Sequence, residues 1–454
     1  MRQILDLHIH SKYSRSCSPE LTLENIEAAC RIKGVDIIAT GDFTFPEWFS
    51  DIKNKLEEIP PTPLYQGGGK SGLYKLKSAK DDKVKFLLST EVALIYKDAG
   101  KARRIHLVIH ASSLAAAEEL NKYLDKDYNI RSDGRPILGM SAPELMKLCL
   151  GIDEKFLIYP AHIWTPWFAV FGSKSGFDRL EDCFHEYAKD VYALETGLSS
   201  DPEMNWRLSA LGRLAILSNS DAHSLPNIAR EANVFEMAAV SYNEIYEIIK
   251  NKIIYHDSKE VDSRRSLSAE VAGGNDKKGI KYTIEFYPEE GMYHYSGHRI
   301  CGVSFTPGET KKLKGICPVC KKPLTIGVMD RVEELADRAE GFKPAKAAPF
   351  KKLVELDKII AEALDVKSRH SAKVQIAYHD LIKRGGNELN ILLDINLEDL
   401  EKIVDPAIIE GIKRVREGKL IIKPGFDGQY GEVNIFSEKE KLKNKQISLF
   451  EFTP

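Results

Sequence analysis

The chain lacks the apolar run that would cross a bilayer: nowhere in its 454 residues does a hydrophobic stretch approach the roughly 20 positions a spanning helix needs. No secretory leader is expected either, because Met1-Arg2-Gln3-Ile4-Leu5-Asp6 sets an acid, with His8 and His10 behind it, where an apolar segment would have to stand. Seven cysteines, an odd number in a long chain, do not make a disulfide framework. Net charge is almost nil, with 65 basic against 67 acidic residues and a balance of −2. Histone-like binding of nucleic acid over the whole surface is therefore excluded, while a local basic patch is not. No internal repeat of the solenoid kind is visible. These absences lead us to expect a cytoplasmic globular protein, and the length argues for two or three domains.

One apparent motif falls away on inspection. Gly67-Gly68-Gly69-Lys70-Ser71 ends like a phosphate-binding loop, but Leu64 stands where the first glycine must be. Pro60, Pro61 and Pro63 precede it instead of an apolar strand, so a surface loop is expected.

What is present is ordered. Over residues 1–258, short β-rich runs at 3–9, 35–40, 84–89, 104–109, 156–159, 191–195 and 214–218 alternate with helical patterns such as 23–33 and 114–124. The alternation predicts a parallel α/β fold, and seven or so strands suit a barrel. Residues 259–280 read as a linker, 281–335 hold a cysteine cluster, 336–436 turn helical, and 437–454 form a charged spacer and tail.

The ends of the expected strands carry the chemistry. They deliver His8 and His10, then Asp42, Glu91, His106 with His110, His162, Glu195, and finally Asp221 with His223. Residues two apart on a strand share a face, so His8/His10 and Asp221/His223 each make a pincer. A lone histidine is more often a hydrogen-bonded core residue, and a strand-end acid often caps a helix; the collective pattern is what points to a multinuclear metal site. Mixed nitrogen and oxygen ligands without thiolate suit zinc, manganese or iron. Two or three such ions favour in-line displacement at phosphorus, so phosphoester hydrolysis is the implied reaction.

Asp6-Leu7-His8-Ile9-His10 and Ser220-Asp221-Ala222-His223 resemble the first and last motifs of the PHP (polymerase and histidinol phosphatase) superfamily. The resemblance implies a distorted PHP-type βα barrel with two or three divalent ions (Zn, Mn, Mg or Fe). Its ligand positions fall on His8, His10, Glu91, His106, His162, Asp221 and His223. Thr40-Gly41-Asp42 departs from the usual Thr-Asp-His and would put Asp42 in the place of a ligating histidine. His110 and Glu195 are candidates to support the ligands, and Asp221, His223 and Glu91 are the residues to which catalysis is assigned.

Beyond residue 260, His298-x-x-Cys301 and Cys317-x-x-Cys320 form two pairs at knuckle spacing, with His294 the rival fourth ligand. Such a set suits one structural zinc, worth about 10 kcal/mol or more of binding energy to a small domain. Residues 311–360 hold 12 Lys or Arg against 7 Asp or Glu, an excess that suits nucleic-acid phosphates. The tail Gln446-Ile447-Ser448-Leu449-Phe450-Glu451-Phe452 resembles the peptide that docks on a DNA sliding clamp, with Gln446, Leu449, Phe450 and Phe452 as its anchors.

A PHP barrel, a His/Cys zinc element, a helical C-terminal domain and a clamp-binding tail together resemble endonuclease Q, a DNA-repair nuclease family found mainly in archaea. Gly41-Asp42-Phe43-Thr44, the stretch from His162 to Phe168, and Gly297-His298-Arg299 carry that likeness as well. It implies cleavage 5′ to deoxyinosine, deoxyuridine or an abasic site, leaving a 3′-hydroxyl and a 5′-phosphate. The implied partners are damaged DNA and the clamp (PCNA), for a nucleoid-associated monomer with no membrane. Trp164, Trp167, Phe168 and Phe171 are candidates to line a base pocket or wedge the duplex, with ordinary packing as the alternative. Arg104 (or its neighbour Arg103) and Lys174 are candidate phosphate contacts. The competing readings are a small-molecule phosphomonoesterase of the histidinol phosphatase type and a non-enzymatic clamp-bound scaffold.

Overall fold

The computed structural model describes residues 1–60, 70–255, 278–400, 404–437 and 440. They fall into two compact units. The first takes in 1–30, 35–284 and 331–351, and the second 31–34, 285–330 and the described part of 352–454. None of the described helices is long and apolar enough to cross a membrane.

The first unit is built on strands β1 (Arg2–Asp6), β2 (Ile37–Ala39), β3 (Leu56–Glu58), β4 (Tyr74–Leu76), β5 (Lys85–Leu87), β6 (Ser89–Asp98) and β7 (Lys101–His110). It continues with β8 (Ile137–Leu138), β9 (Leu157–Pro160), β10 (Ala193–Glu195), β11 (Ala215–Leu217), β12 (Ala232–Glu236) and β13 (Gly279–Glu285). One sheet runs β13-β12-β1-β2-β5-β4-β3, with the strand Phe350–Lys352 outside β13; a second runs β8-β6-β7-β9, and β10 pairs with β11.

Parallel pairing, expected throughout, holds for β1–β2, β2–β5, β6–β8 and β10–β11, and for β13 with Phe350–Lys352, where Thr283 N donates to Pro349 O and Leu353 N to Glu285 O. β1 meets β12 antiparallel, β7 meets β9 antiparallel, and β6 and β7 form one long antiparallel hairpin from Ser89↔His110 to Asp98↔Lys101. The hairpin closes through Ala99 and Gly100, whose φ values of 45° and 77° give the left-handed pair that a two-residue turn requires. Ala-Gly is a weak turn signal beside Asn-Gly, and the charged Lys97 and Asp98 interrupt the apolar pattern. Consequently Glu91 and His106 lie within a hairpin and not at strand ends.

Among the described residues the ladders stay separate, yet their apolar faces share one core. Leu5, Leu7, Ile37, Leu87, Val108, Leu157, Ala193, Leu217 and Phe235 all belong to a single buried cluster. Each fully buried leucine or phenylalanine contributes about 1.5–3 kcal/mol. Backbone bonds tie the strand ends together: Ala161 N to His106 O (3.1 Å), Ile163 N to Glu195 O (3.1 Å) and Thr196 N to Leu217 O (2.9 Å). A parallel bridge between Ile9 and Ala222 then joins the loop after β11 to the end of β1.

In the second unit a short hairpin (Ser296–His298 with Val303–Phe305) precedes helices Leu356–Ala363, Ala372–Gly385, Glu388–Leu393 and Pro406–Glu417. Within the stretch expected to be helical, Leu397–Leu400 and Pro406–Glu417 are separate helices. Pro406 cannot continue a helix but starts one well, and Asp405 caps it by accepting from Ala407 N at 2.8 Å. Ile359, Ile360, Val374, Ile391 and Ile412 are buried among these helices.

Candidate metal centre

The Ile9–Ala222 bridge explains why the two pincers meet. Asp221 N donates to His8 O at 2.9 Å and His10 N to Ala222 O at 3.1 Å, so the two loops run side by side. One ligand atom each from His8, His10, Glu91 and Asp221 lie within 4.8 Å of one another. The closest approaches are His10 Nε2 to Asp221 Oδ1 (3.1 Å) and to Glu91 Oε2 (3.3 Å).

Their rings are aimed from behind. His8 Nδ1 lies 3.0 Å from Glu195 Oε2, and Glu195 also accepts from His162 N (3.0 Å) and Asn219 Nδ2 (2.8 Å). His10 Nδ1 lies 3.0 Å from Asp42 Oδ1. With both Nδ1 atoms committed to carboxylates, both Nε2 atoms turn inward, the arrangement that orients metal-binding imidazoles. His8 Nε2, His10 Nε2 and Asp221 Oδ1 are all buried without a hydrogen-bond partner. Three buried polar atoms that converge on one point with ion-pair contacts but no well-formed hydrogen bond are the donor set a divalent cation takes.

A second group shares Glu91. Its Oε1 lies 2.9 Å from His106 Nδ1 and 3.2 Å from His162 Nε2, and those two nitrogens are 3.2 Å apart. Thr165 Oγ1 holds the other nitrogen of His162 at 3.0 Å. Each oxygen of Glu91 thus serves a different cluster, as a bridging carboxylate would. Burial alone would raise the Glu91 pKa, but His106, Arg135 and His8 beside it hold it well below the usual carboxylate range. Burial pushes His106 itself down to about 4, against the pull of Glu91, so near neutral pH it is the neutral imidazole that metal binding needs and the charges acting on Glu91 are those of Arg135 and His8.

Backbone strain accumulates here. Asp42, His162 and Asp221 have φ values of 47°, 27° and 46°, a region non-glycine residues seldom adopt.

Two expected ligands stand elsewhere. Asp42 is in neither group: Oδ2 accepts from Ser11 N (2.7 Å), Ser11 Oγ (2.7 Å) and Ser14 Oγ (2.9 Å), while Oδ1 faces His10. Oδ1 orients the His10 ring, and Oδ2 is held by the two serines. His223 is also outside both groups, with Nδ1 donating to Asp221 O at 2.8 Å and its ring 4.6 Å from that of His10. His110 turns away, its Nε2 at 2.9 Å from the Tyr159 hydroxyl.

Arg135 was not among the expected residues. Its Nη1 lies 3.0 Å from Glu91 Oε2, brought there by the loop Asp133-Gly134-Arg135. A Cβ on Gly134 would stand 2.4 Å from both Asp42 Oδ2 and Ser14 Oγ, so only glycine lets this loop pass. In the sequence, Gly134-Arg135-Pro136 signals no more than a turn.

The aromatic candidates divide. Trp164 and Phe171 are buried against each other (ring centroids 5.1 Å), and Trp164 Nε1 donates to Asn205 Oδ1 at 2.8 Å, so both pack the interior and are not free to line a base pocket. Trp167 is 39% exposed, and Phe168 lies 4.7 Å from the His106 ring. Arg103 is held over the Phe177 ring (3.9 Å), while Arg104 and Lys174 are exposed.

In the second unit, His298, Cys301, Cys317 and Cys320 bring their ligand atoms within 4.8 Å of one another; His294 is not part of the group. Cys320 Sγ is 3.7 Å from His298 Nδ1. The tail anchors Gln446, Leu449, Phe450 and Phe452 lie outside the described residues.

Fold and clusters together define a mixed α/β protein whose first unit gathers imidazoles and carboxylates around two cation-sized foci. Over its whole length the chain is similar to endonuclease Q. The crystal structure of the lesion-specific endonuclease PfuEndoQ from Pyrococcus furiosus is 29% identical, with a TM-score of 0.79 and 100% of each chain covered. Endonuclease Q in complex with a 27-mer duplex carrying an abasic lesion at the active site matches at 29% identity and a TM-score of 0.77, over 98% of each chain. A family model described as the MJ0043 C-terminal domain matches residues 355–419. The uncharacterised protein MJ0043 of Methanocaldococcus jannaschii is 30% identical over 294 residues, which is 63% of this chain but only 33% of that relative.

Proposed function

We propose that this chain is a metal-dependent DNA repair endonuclease that hydrolyses the phosphodiester 5′ to a deaminated or missing base. The observation that carries it is Glu91, whose two oxygens face two separate ligand groups in a chain similar from end to end to a nuclease crystallised on an abasic duplex. The lesions proposed are deoxyinosine, deoxyuridine and abasic sites, with 3′-hydroxyl and 5′-phosphate products.

Divalent ions held by His8, His10, Glu91 and Asp221, and by Glu91, His106 and His162, would supply an activated water near neutral pH and neutralise charge on the phosphate. Glu195 and Asp42 keep the first two imidazoles aimed. His223 stands at the rim with 31% of its side chain exposed; its Nδ1 is engaged, so Nε2 is the atom that takes or gives a proton. Trp167, Phe168, Arg104 and Lys174 are the remaining candidates for base and phosphate contacts.

The finer fold reading is a distorted PHP-type βα barrel over 1–258, supported by the single core shared by its strands. A zinc element over 281–335 is supported by the His298, Cys301, Cys317 and Cys320 cluster. A DNA-contacting domain over 336–436 and a clamp-binding tail over 437–454 complete the proposal.

End-labelled duplexes with one deoxyinosine, one deoxyuridine, one abasic site or no lesion test it, with Mg²⁺ or Mn²⁺, an EDTA lane and Asp221→Ala. A single nick 5′ to the lesion, absent from both controls, is the expected result. Intact DNA with phosphate released from a simple phosphomonoester would instead make this a small-molecule phosphatase.

A further inference from the structure

Two aliphatic side chains project from the second unit into solvent. Ile300 is 85% exposed and Val319 64%. Ile300 lies between His298 and Cys301, and Val319 between Cys317 and Cys320. Because the ligand atoms of those four residues come within 4.8 Å of one another, the two arms meet at one focus and both aliphatic residues belong to the same tip. Ile316, 37% exposed, precedes Cys317 on the second arm. The tip is braced by the hairpin from Ser296 to Phe305 and by a tight turn, with Cys317 N donating to Lys322 O (2.8 Å) and Lys321 N to Cys317 O (3.0 Å).

The same stretch of chain is strongly basic. From 298 to 322 the basic residues are Arg299, Lys311, Lys312, Lys314, Lys321 and Lys322, all exposed, and Glu309 is the one acid. Exposed aliphatic side chains on a strongly cationic stretch of chain complement a polymer that is anionic outside and apolar between its stacked units. Duplex DNA has that chemistry, and small aliphatic wedges flanked by cationic side chains are a recurrent way of unstacking it.

We propose that Ile300 and Val319 form a wedge that enters the duplex between base steps while the exposed lysines of the same stretch seat the flanking phosphates. The proposal rests on the nuclease reading above and adds to it a device for lowering the cost of exposing the target nucleotide.

The test uses the full chain carrying Ile300→Ser and Val319→Ser together, changes at solvent-facing positions. The same lesion strand is offered as a duplex and as a single strand, and a duplex with 2-aminopurine beside the lesion reports unstacking by fluorescence. The ratio of duplex to single-strand cutting should fall about tenfold or more, and the fluorescence rise seen with the unaltered protein should be lost. A ratio equal to that of the unaltered protein, or an equal loss on both substrates, would overturn the wedge. If the unaltered protein cuts neither substrate the nuclease reading fails, and the fluorescence comparison still decides the wedge.

Discussion

The guanidinium of Arg135 stands against Glu91, Nη1 to Oε2 at 3.0 Å, on the oxygen that also faces His8 and His10. Burial disfavours its charge, but Glu91 and Asp221 more than offset that and raise its pKa. Arg135 therefore joins His8 and His10, whose pKa values their carboxylate neighbours raise, in balancing the buried Glu91 carboxylate. Arg135→Ala should destabilise the metal-stripped protein by on the order of 1–3 kcal/mol. Saturating Mn²⁺ should close most of that gap, because bound cations take over the balancing charge. Thermal melts of both proteins with and without metal measure it; a gap that metal leaves untouched would reduce Arg135 to a packing role.

Glu91 makes a sharper demand on metal content. One carboxylate contributes an oxygen to each of two clusters, whereas His106 contributes to one. Glu91→Gln should lose ions from both sites, and His106→Ala from one alone, as read by elemental analysis after dialysis. A full complement in Glu91→Gln would refute the bridge.

Much of this centre was legible before folding, for a local reason. His8/His10 and Asp221/His223 follow closely on strands that end at Asp6 and Leu217, and the Ile9–Ala222 bridge brings the two stretches together. Three of those four residues join the first cluster, while His223 stands beside it. What stayed hidden depended on tertiary contacts. Whether Asp42 binds an ion or holds His10 turns on which partners use its oxygens, and Ser11 and Ser14 use them. Arg135 reaches Glu91 from a loop with no periodic signal. Trp164 looks like a surface aromatic until Asn205 satisfies its indole inside the core.

Asp42 and Glu195 should behave as supports and not as ligands. Asp42→Asn and Glu195→Gln keep the shape but weaken the grip on His10 and His8, so each should lower metal affinity by about 10–100-fold. Sites that still fill at high metal concentration are the expected sign. Metal that cannot be restored at any concentration in Asp42→Asn would return Asp42 to the ligand set.

The second cluster has a backbone test that alters no ligand. Gly197 has φ +59°, and a Cβ there would lie 2.4 Å from the Cβ of His162 and 2.7 Å from its Cα, with no flexible atom able to yield. His162 is already in a sparsely populated conformation at φ 27°, so little room remains for it to retreat. Gly197→Ala should cost about 1–3 kcal/mol and displace the His162 imidazole from Glu91 Oε1. Gly212→Ala meets nothing within 4 Å and serves as the control, expected to stay within about 0.5 kcal/mol of the parent. The informative outcome is a Gly197→Ala protein that melts cooperatively yet binds fewer ions than the control. Equal metal content and equal cleavage in both variants would mean that His162 does not hold the second site.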